Sequence, residues 1–141
     1  MRFRTLLVIS IVVLSFAGIR AVAKAQGNAP SEPRTVEMTA NNYEFTPSSV
    51  HVKVGETVRL SVTAEDKEHG VRIKPVAEGS APGTPAGIEV AGSENCVKFK
   101  KHETGVIEFI ARAPGTYEFE CCKLCGFGHG KMKGEIIVDA S

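Results

Sequence analysis

The sequence has almost no net charge, no long apolar run and no internal repeat. Its 141 residues carry 17 basic and 16 acidic side chains, a formal net charge of +1. That balance leaves no electrostatic footprint for nucleic acid. The length excludes a large two-domain enzyme and fits one domain with or without a targeting segment. No glycine-rich phosphate loop precedes a helix, and beyond the N-terminal segment no stretch keeps helical periodicity over three turns. No general acid–base pair or substrate-pocket signature marks the chain as an enzyme by itself. Apolar residues make up 43% and charged residues 23%, which is ordinary globular usage and excludes wholesale disorder.

The basic residues are unevenly spread. Arg2 and Arg4 precede an apolar run, residues 6–14, that gives way to Ser15, Ala17 and Gly18 and then to Ala23-Lys24-Ala25. A basic start, a short apolar stretch and an Ala-x-Ala site predict a signal peptide over residues 1–25. The run falls short of the about 20 residues that span a bilayer. No Cys follows it, so no lipid anchor is expected. The reading is an exported protein, periplasmic or otherwise extracytoplasmic, with no stable membrane span after cleavage; an uncleaved anchor is the alternative. Residues 1–25 hold four of the basic residues and no acid, so the mature chain carries 13 basic and 16 acidic residues, a net charge of −3.

Residues 26–34 form a polar, proline-containing linker, and the domain is expected over 35–141. There, Val50, Val52 and Val54 alternate with His51 and Lys53, and Val58, Leu60 and Val62 with Arg59 and Ser61. Ile107 and Phe109 flank Glu108; Tyr117 and Phe119 alternate with Glu118 and Glu120; Ile136 and Val138 close the chain. Period-2 patterning broken by turn residues predicts an all-β fold, a Greek-key sandwich or barrel. Residues 75–93, with three Pro and four Gly, read as a long loop with a short strand near 87–90.

The chemistry concentrates near the C-terminus. Cys121, Cys125, His129 and Met132 lie within twelve residues, between a strand ending at Glu120 and one starting near Gly134. Thiolate, thioether and imidazole donors suit copper. Zinc gains little from Met, and calcium or magnesium would want oxygen. A mononuclear blue-copper site takes one Cys, whereas two thiolates can bridge two copper ions, each then needing one imidazole. His129 supplies one. His69, just beyond the strand around 58–62, is the best candidate for the other. His51 reads as a solvated side chain, His102 as part of an exposed turn, and residues 65–68 as a solvated turn.

The pattern Cys-x3-Cys-x3-His-x2-Met, filled by Cys121, Cys125, His129 and Met132, resembles the cupredoxin family. Within it the likeness is to the CuA domain of cytochrome c oxidase subunit II and nitrous-oxide reductase. Tyr43-Glu44-Phe45-Thr46-Pro47 and the valine-rich run from Val50 are similar to the family's opening strands, and Pro114-Gly115-Thr116-Tyr117-Glu118-Phe119 to the strand leading into the ligand loop. The resemblance implies that Cys121 and Cys125 bridge two coppers. It implies His69 and His129 as terminal ligands, with Met132 and the Lys123 backbone carbonyl as weak axial ligands. The implied function is electron transfer with a redox partner such as a c-type cytochrome or an oxidase. A copper carrier using the same ligands, and a subunit of a terminal oxidase complex, are the alternatives.

Three departures from the oxidase pattern favour a free-standing protein. Lys123 stands where oxidase subunits usually carry Glu, Trp is absent, and no N-terminal two-helix hairpin is present. Phe127, between two glycines, reads as an exposed contact beside His129. For Cys96 and Cys122 a disulfide is possible in an exported protein, and two small buried thiols are the preferred reading.

Overall fold

The computed structural model describes residues 32–92 and 95–140. Among these, ten strands form two five-stranded sheets, and the one short helix is a 3-10 turn at His129–Lys131. The strands are β1 (Arg34–Asn41), β2 (Glu44–Thr46), β3 (Ser49–Lys53), β4 (Thr57–Ala64) and β5 (His69–Ile73), then β6 (Ile88–Val90), β7 (Val97–Phe99), β8 (Thr104–Ala111), β9 (Gly115–Glu120) and β10 (Lys133–Asp139). One sheet has the order β2-β1-β4-β8-β6 and the other β3-β10-β9-β5-β7. β1 runs parallel to β4 and β3 parallel to β10; the remaining pairs are antiparallel. The expected all-β sandwich is the observed architecture. No helix among the described residues is long and apolar enough to cross a membrane. The expected signal peptide and residues 26–31 of the linker lie outside the described residues; β1 starts at Arg34, one residue before the expected domain boundary.

Alternation in the sequence becomes the core directly. β4 buries Val58, Leu60, Val62 and Ala64; β8 buries Ile107, Phe109 and Ala111; β9 and β10 bury Tyr117, Phe119, Ile136 and Val138. Each fully buried Val, Leu, Ile or Phe among them contributes about 1.5–3 kcal/mol of apolar transfer. Phe45 of one sheet meets Phe119 of the other edge to face, centroids 5.2 Å apart, an arrangement aromatic quadrupoles favour. Gly134 makes that packing possible: a Cβ there would lie 2.2 Å from Phe119 Cζ and 2.5 Å from the Ser48 carbonyl oxygen.

The 75–93 loop is tied down where it is described. The backbone N–H groups of Gly87 and Ile88 both donate to the Pro75 carbonyl, and that of Arg112 donates to the Gly87 carbonyl. The short strand foreseen near 87–90 is β6. β7 was not foreseen. It has only three residues and pairs with β5, setting Phe99 opposite His69 and Lys98 opposite Gly70.

Candidate metal centre

The loop of residues 121–132 is closed at its base by β9 and β10. Lys133 pairs with Glu120, and the Cys121 N–H donates to the Met132 carbonyl at 3.0 Å. Between these ends, the N–H groups of His129, Lys131 and Met132 donate to the carbonyls of Gly126, Gly128 and His129. Cys121 and Met132 are thereby buried under the loop at the end of the sandwich, Cys125 and His129 are half-buried, and Leu124 and Phe127 project outward, 77% and 112% exposed.

The sulfur atoms converge. Cys121 Sγ lies 3.8 Å from Cys125 Sγ and 3.2 Å from the Lys123 carbonyl oxygen. Cys125 Sγ in turn lies 3.7 Å from His129 Nδ1 and 4.0 Å from Met132 Sδ. Burial first, and then the neighbouring Cys121 thiol, push the Cys125 thiol up to about 11. Two thiols packed this closely resist joint ionisation unless a cation compensates.

His69 comes from the other side. It is the first residue of β5, fully buried, and a ring nitrogen lies within 4.8 Å of both Sγ atoms, as these do of one another. Its Nε2 is 2.7 Å from Asp66 Oδ1. Burial works against the charge on Asp66, but the hydrogen bonds from His69 and the Asn42 N–H outweigh it and hold the carboxyl below its ordinary value. An ionised carboxylate only accepts, so Nε2 carries a proton, and in the neutral imidazole Nδ1 then keeps a free lone pair. Nδ1 is buried with no hydrogen-bond partner. Such an orphan costs about 1–3 kcal/mol unless something else satisfies it. A buried, unpartnered nitrogen on an imidazole that approaches two sulfurs fits a soft metal ion, and a carboxylate on the other ring nitrogen is the usual support of a ligating His.

All the residues singled out in the sequence for the site, His69, Cys121, Lys123, Cys125, His129 and Met132, meet at this one end. His51 and His102 do not. His51 is exposed on β3 with Asp139 3.5 Å away, and His102 sits in an exposed turn with φ +65°. Two readings are corrected. Residues 65–68 are more than a solvated turn, because Asp66 holds His69 and its side chain is only 19% exposed. Cys96 and Cys122 are joined in a disulfide, not left as two buried thiols. An Asp three residues before the candidate His was the available signal for the first correction; no local signal announced the second.

A further contact escaped the sequence altogether. Tyr43 and Asn42 form the two-residue turn between β1 and β2, both with positive φ. That turn places the Tyr43 ring against the ligand loop, where a Cβ at Gly128 would lie 2.2 Å from it and one at Gly126 2.5 Å from its hydroxyl. Lys67 Nζ stands 4.8 Å from the ring centroid and donates to the Cys125 carbonyl at 3.3 Å.

The family model of the cupredoxin-like domain matches residues 7–138. The chain belongs to the cupredoxin-like domain family. A cupredoxin fold implies copper as the metal. A curated relative, cytochrome c oxidase subunit 2 of Thermus thermophilus, is 26% identical over 104 residues, covering 74% of this chain and 64% of that protein. The subunit of the same name from Thermostichus vulcanus is 29% identical over 130 residues, covering 86% of this chain but 34% of that protein. The chain thus spans less than two thirds of the curated relatives it matches. Among solved structures, auracyanin B superposes with a TM-score of 0.56 at 21% identity, covering 80% of this chain and 92% of that one, a likeness of fold alone. In this cupredoxin the soft donors occupy the 121–132 loop and the start of β5.

Proposed function

We propose that the protein is an exported electron carrier whose copper centre is binuclear, of the CuA type. The observation that carries this reading is the placement of the two imidazoles. His69 shares one tight three-donor group with Cys121 and Cys125, whereas His129 stands beside Cys125 and outside that group. Donors to one small ion lie at most about 4.6 Å apart, twice a metal–sulfur bond. The 3.8 Å between the sulfurs satisfies that limit, so the same thiolate pair can serve two positions, each capped by its own imidazole.

In this reading Cys121 and Cys125 hold both ions. His69 and His129 would each supply an imidazole donor, and Met132 and the Lys123 carbonyl would be the further, weaker donors. Bound copper supplies a one-electron couple. The chain supplies rigidity: Cys121, Met132 and His69 are fixed by the sheet ends and by Asp66, so the donor positions change little between oxidation states. A pre-formed, largely buried donor set favours electron transfer over a carrier that must release its metal. The relation to oxidase subunits makes a terminal oxidase or a c-type cytochrome the natural redox partner outside the cytoplasm. The Cys96–Cys122 disulfide agrees with an oxidising compartment.

Reconstituting the purified protein with copper tests the reading. Two coppers per chain with a mixed-valence binuclear EPR and absorption spectrum are expected. Cys125→Ser should abolish that spectrum, and His51→Ala should leave it intact. One copper per chain, or a colourless Cu(I) complex, would overturn the binuclear reading. Persistence of the spectrum in His69→Ala would show that another residue is the upstream ligand.

A further inference from the structure

Three of the chain's four cysteines fall within five residues, at positions 121, 122 and 125. As free thiols all three would be competent soft-metal ligands, and sites with three or four thiolates suit Cu(I) and zinc. The structure removes one. Cys122 is bonded to Cys96, 26 residues earlier, just ahead of β7, so it offers no thiolate. We propose that the Cys96–Cys122 disulfide is a donor-selecting clamp: it withholds Cys122 from the metal and fixes the ligand loop against the strand that carries His69. This rests on the reading of Cys121, Cys125 and His69 as the metal donors.

The geometry gives the clamp both of its ends. Cys122 lies between Cys121, whose Sγ faces the site, and Lys123, whose carbonyl approaches that Sγ at 3.2 Å. Fixing residue 122 therefore fixes the main chain on which both of these donors depend. The other end is β5. The Cys122 N–H donates to the Gly70 carbonyl at 3.4 Å, and Gly70 follows His69 directly. A Cβ on Gly70 would lie 2.9 Å from Cys122 Sγ, 3.3 Å from Lys123 Cβ and 3.3 Å from the Val97 carbonyl oxygen. Glycine at position 70 lets the disulfide lie flat on the strand next to the ligand histidine. Cys96 reaches this place because β7 pairs with β5, Val97 opposite Val71. A Lys123–Glu68 ion pair at 3.2 Å ties the same loop to the residue preceding His69; its side chains are 38% and 43% exposed, so it contributes little by itself.

Backbone hydrogen exchange and copper spectra together test the clamp. In Cys96→Ala/Cys122→Ala, the amides of residues 121–132 should exchange at least tenfold faster while those of β4 and β8 keep their protection, and the copper absorption bands should shift or broaden. In Cys96→Ala alone, the liberated Cys122 thiol should give a copper spectrum different from both the parent and the double variant. Unchanged loop exchange and unchanged spectra in both variants would overturn the proposal. Should the double variant lose protection in β4 and β8 as well, Gly70→Ala decides, because it retains the disulfide and crowds Cys122 Sγ. A shifted copper spectrum with β4 and β8 still protected supports the clamp, and an unchanged spectrum overturns it. The exchange measurement needs no copper. A chain that binds none overturns the metal reading and the donor-selecting role with it, and the loop amides then decide separately whether the disulfide fixes the loop.

Discussion

His69 gives one ring nitrogen to Asp66, 2.7 Å away, and keeps the other buried and unpartnered, on a ring that comes within 4.8 Å of two thiols. The carboxylate sets the tautomer, and the tautomer decides whether Nδ1 can donate a lone pair to a metal. Removing the carboxylate in Asp66→Ala leaves the imidazole free to carry its proton on either nitrogen and to rotate. Copper affinity should fall by about 10–100-fold, the usual cost of losing such a support, with the fold intact. Competitive titration against a copper chelator, alongside a thermal melt, measures both.

Two glycines of the ligand loop should respond unequally to the same change. A Cβ at Gly128 would lie 2.2 Å from the Tyr43 ring, whereas at Gly130 nothing lies within 4 Å. Gly128→Ala must displace Tyr43 or the loop, at a cost of about 1–3 kcal/mol, and should shift the copper spectrum because His129 is the next residue. Gly130→Ala should leave both stability and spectrum nearly unchanged. Equal effects of the two substitutions in urea denaturation would show that Tyr43 does not brace the loop.

Acid stability should hinge on Glu118. The Lys74 ammonium, 2.6 Å away, outweighs burial and, with Lys133 at 3.0 Å, holds the carboxyl down at about 2. The folded value lies below the ordinary 4.5, so the stabilisation is fully present above about pH 4.5. It is lost progressively as the pH falls toward 2. Its size is on the order of 1–2 kcal/mol once the half-exposed Lys74 is discounted for screening. In Glu118→Gln, urea midpoints should be lower at pH 7 and should converge on the parent's between pH 4 and 2. Parallel curves for the two proteins would refute the assignment.

Phe127 and Leu124 are the exposed apolar side chains beside His129. Neither contributes to the core, so Phe127→Ala should leave the melting temperature and copper spectrum unchanged. If this face meets the redox partner, the second-order electron-transfer rate should drop by roughly tenfold, the effect of losing about 1.4 kcal/mol of docking energy. Stopped-flow oxidation by a c-type cytochrome reads this directly, and an unchanged rate removes Phe127 from the docking surface.

Much of the architecture was legible because its cause is local. Side-chain alternation at Val50 and Val52, at Val58, Leu60 and Val62, and at Tyr117 and Phe119 follows from the two-residue period of a strand, which any register preserves. The loop donors were legible for a similar reason: Cys121, Cys125, His129 and Met132 share one short segment, and their spacing survives whatever the rest of the chain does. β7 was missed because a three-residue strand has too little period to read, and Tyr43 because its turn lies nearly eighty residues before the loop it touches.

By itself the sequence determined the alternating strands, the soft donor types and their order on one loop. Tertiary structure alone decided that Asp66 supports His69, that Tyr43 and Lys67 brace the loop, and that Cys122 bonds to Cys96 while Cys121 and Cys125 remain thiols. A donor's identity is written in its residue, but its partner depends on which distant backbones the sheets bring together. Here the pairing of β5 with β7 and β9 places residues 69, 96 and 122 at one end of the sandwich.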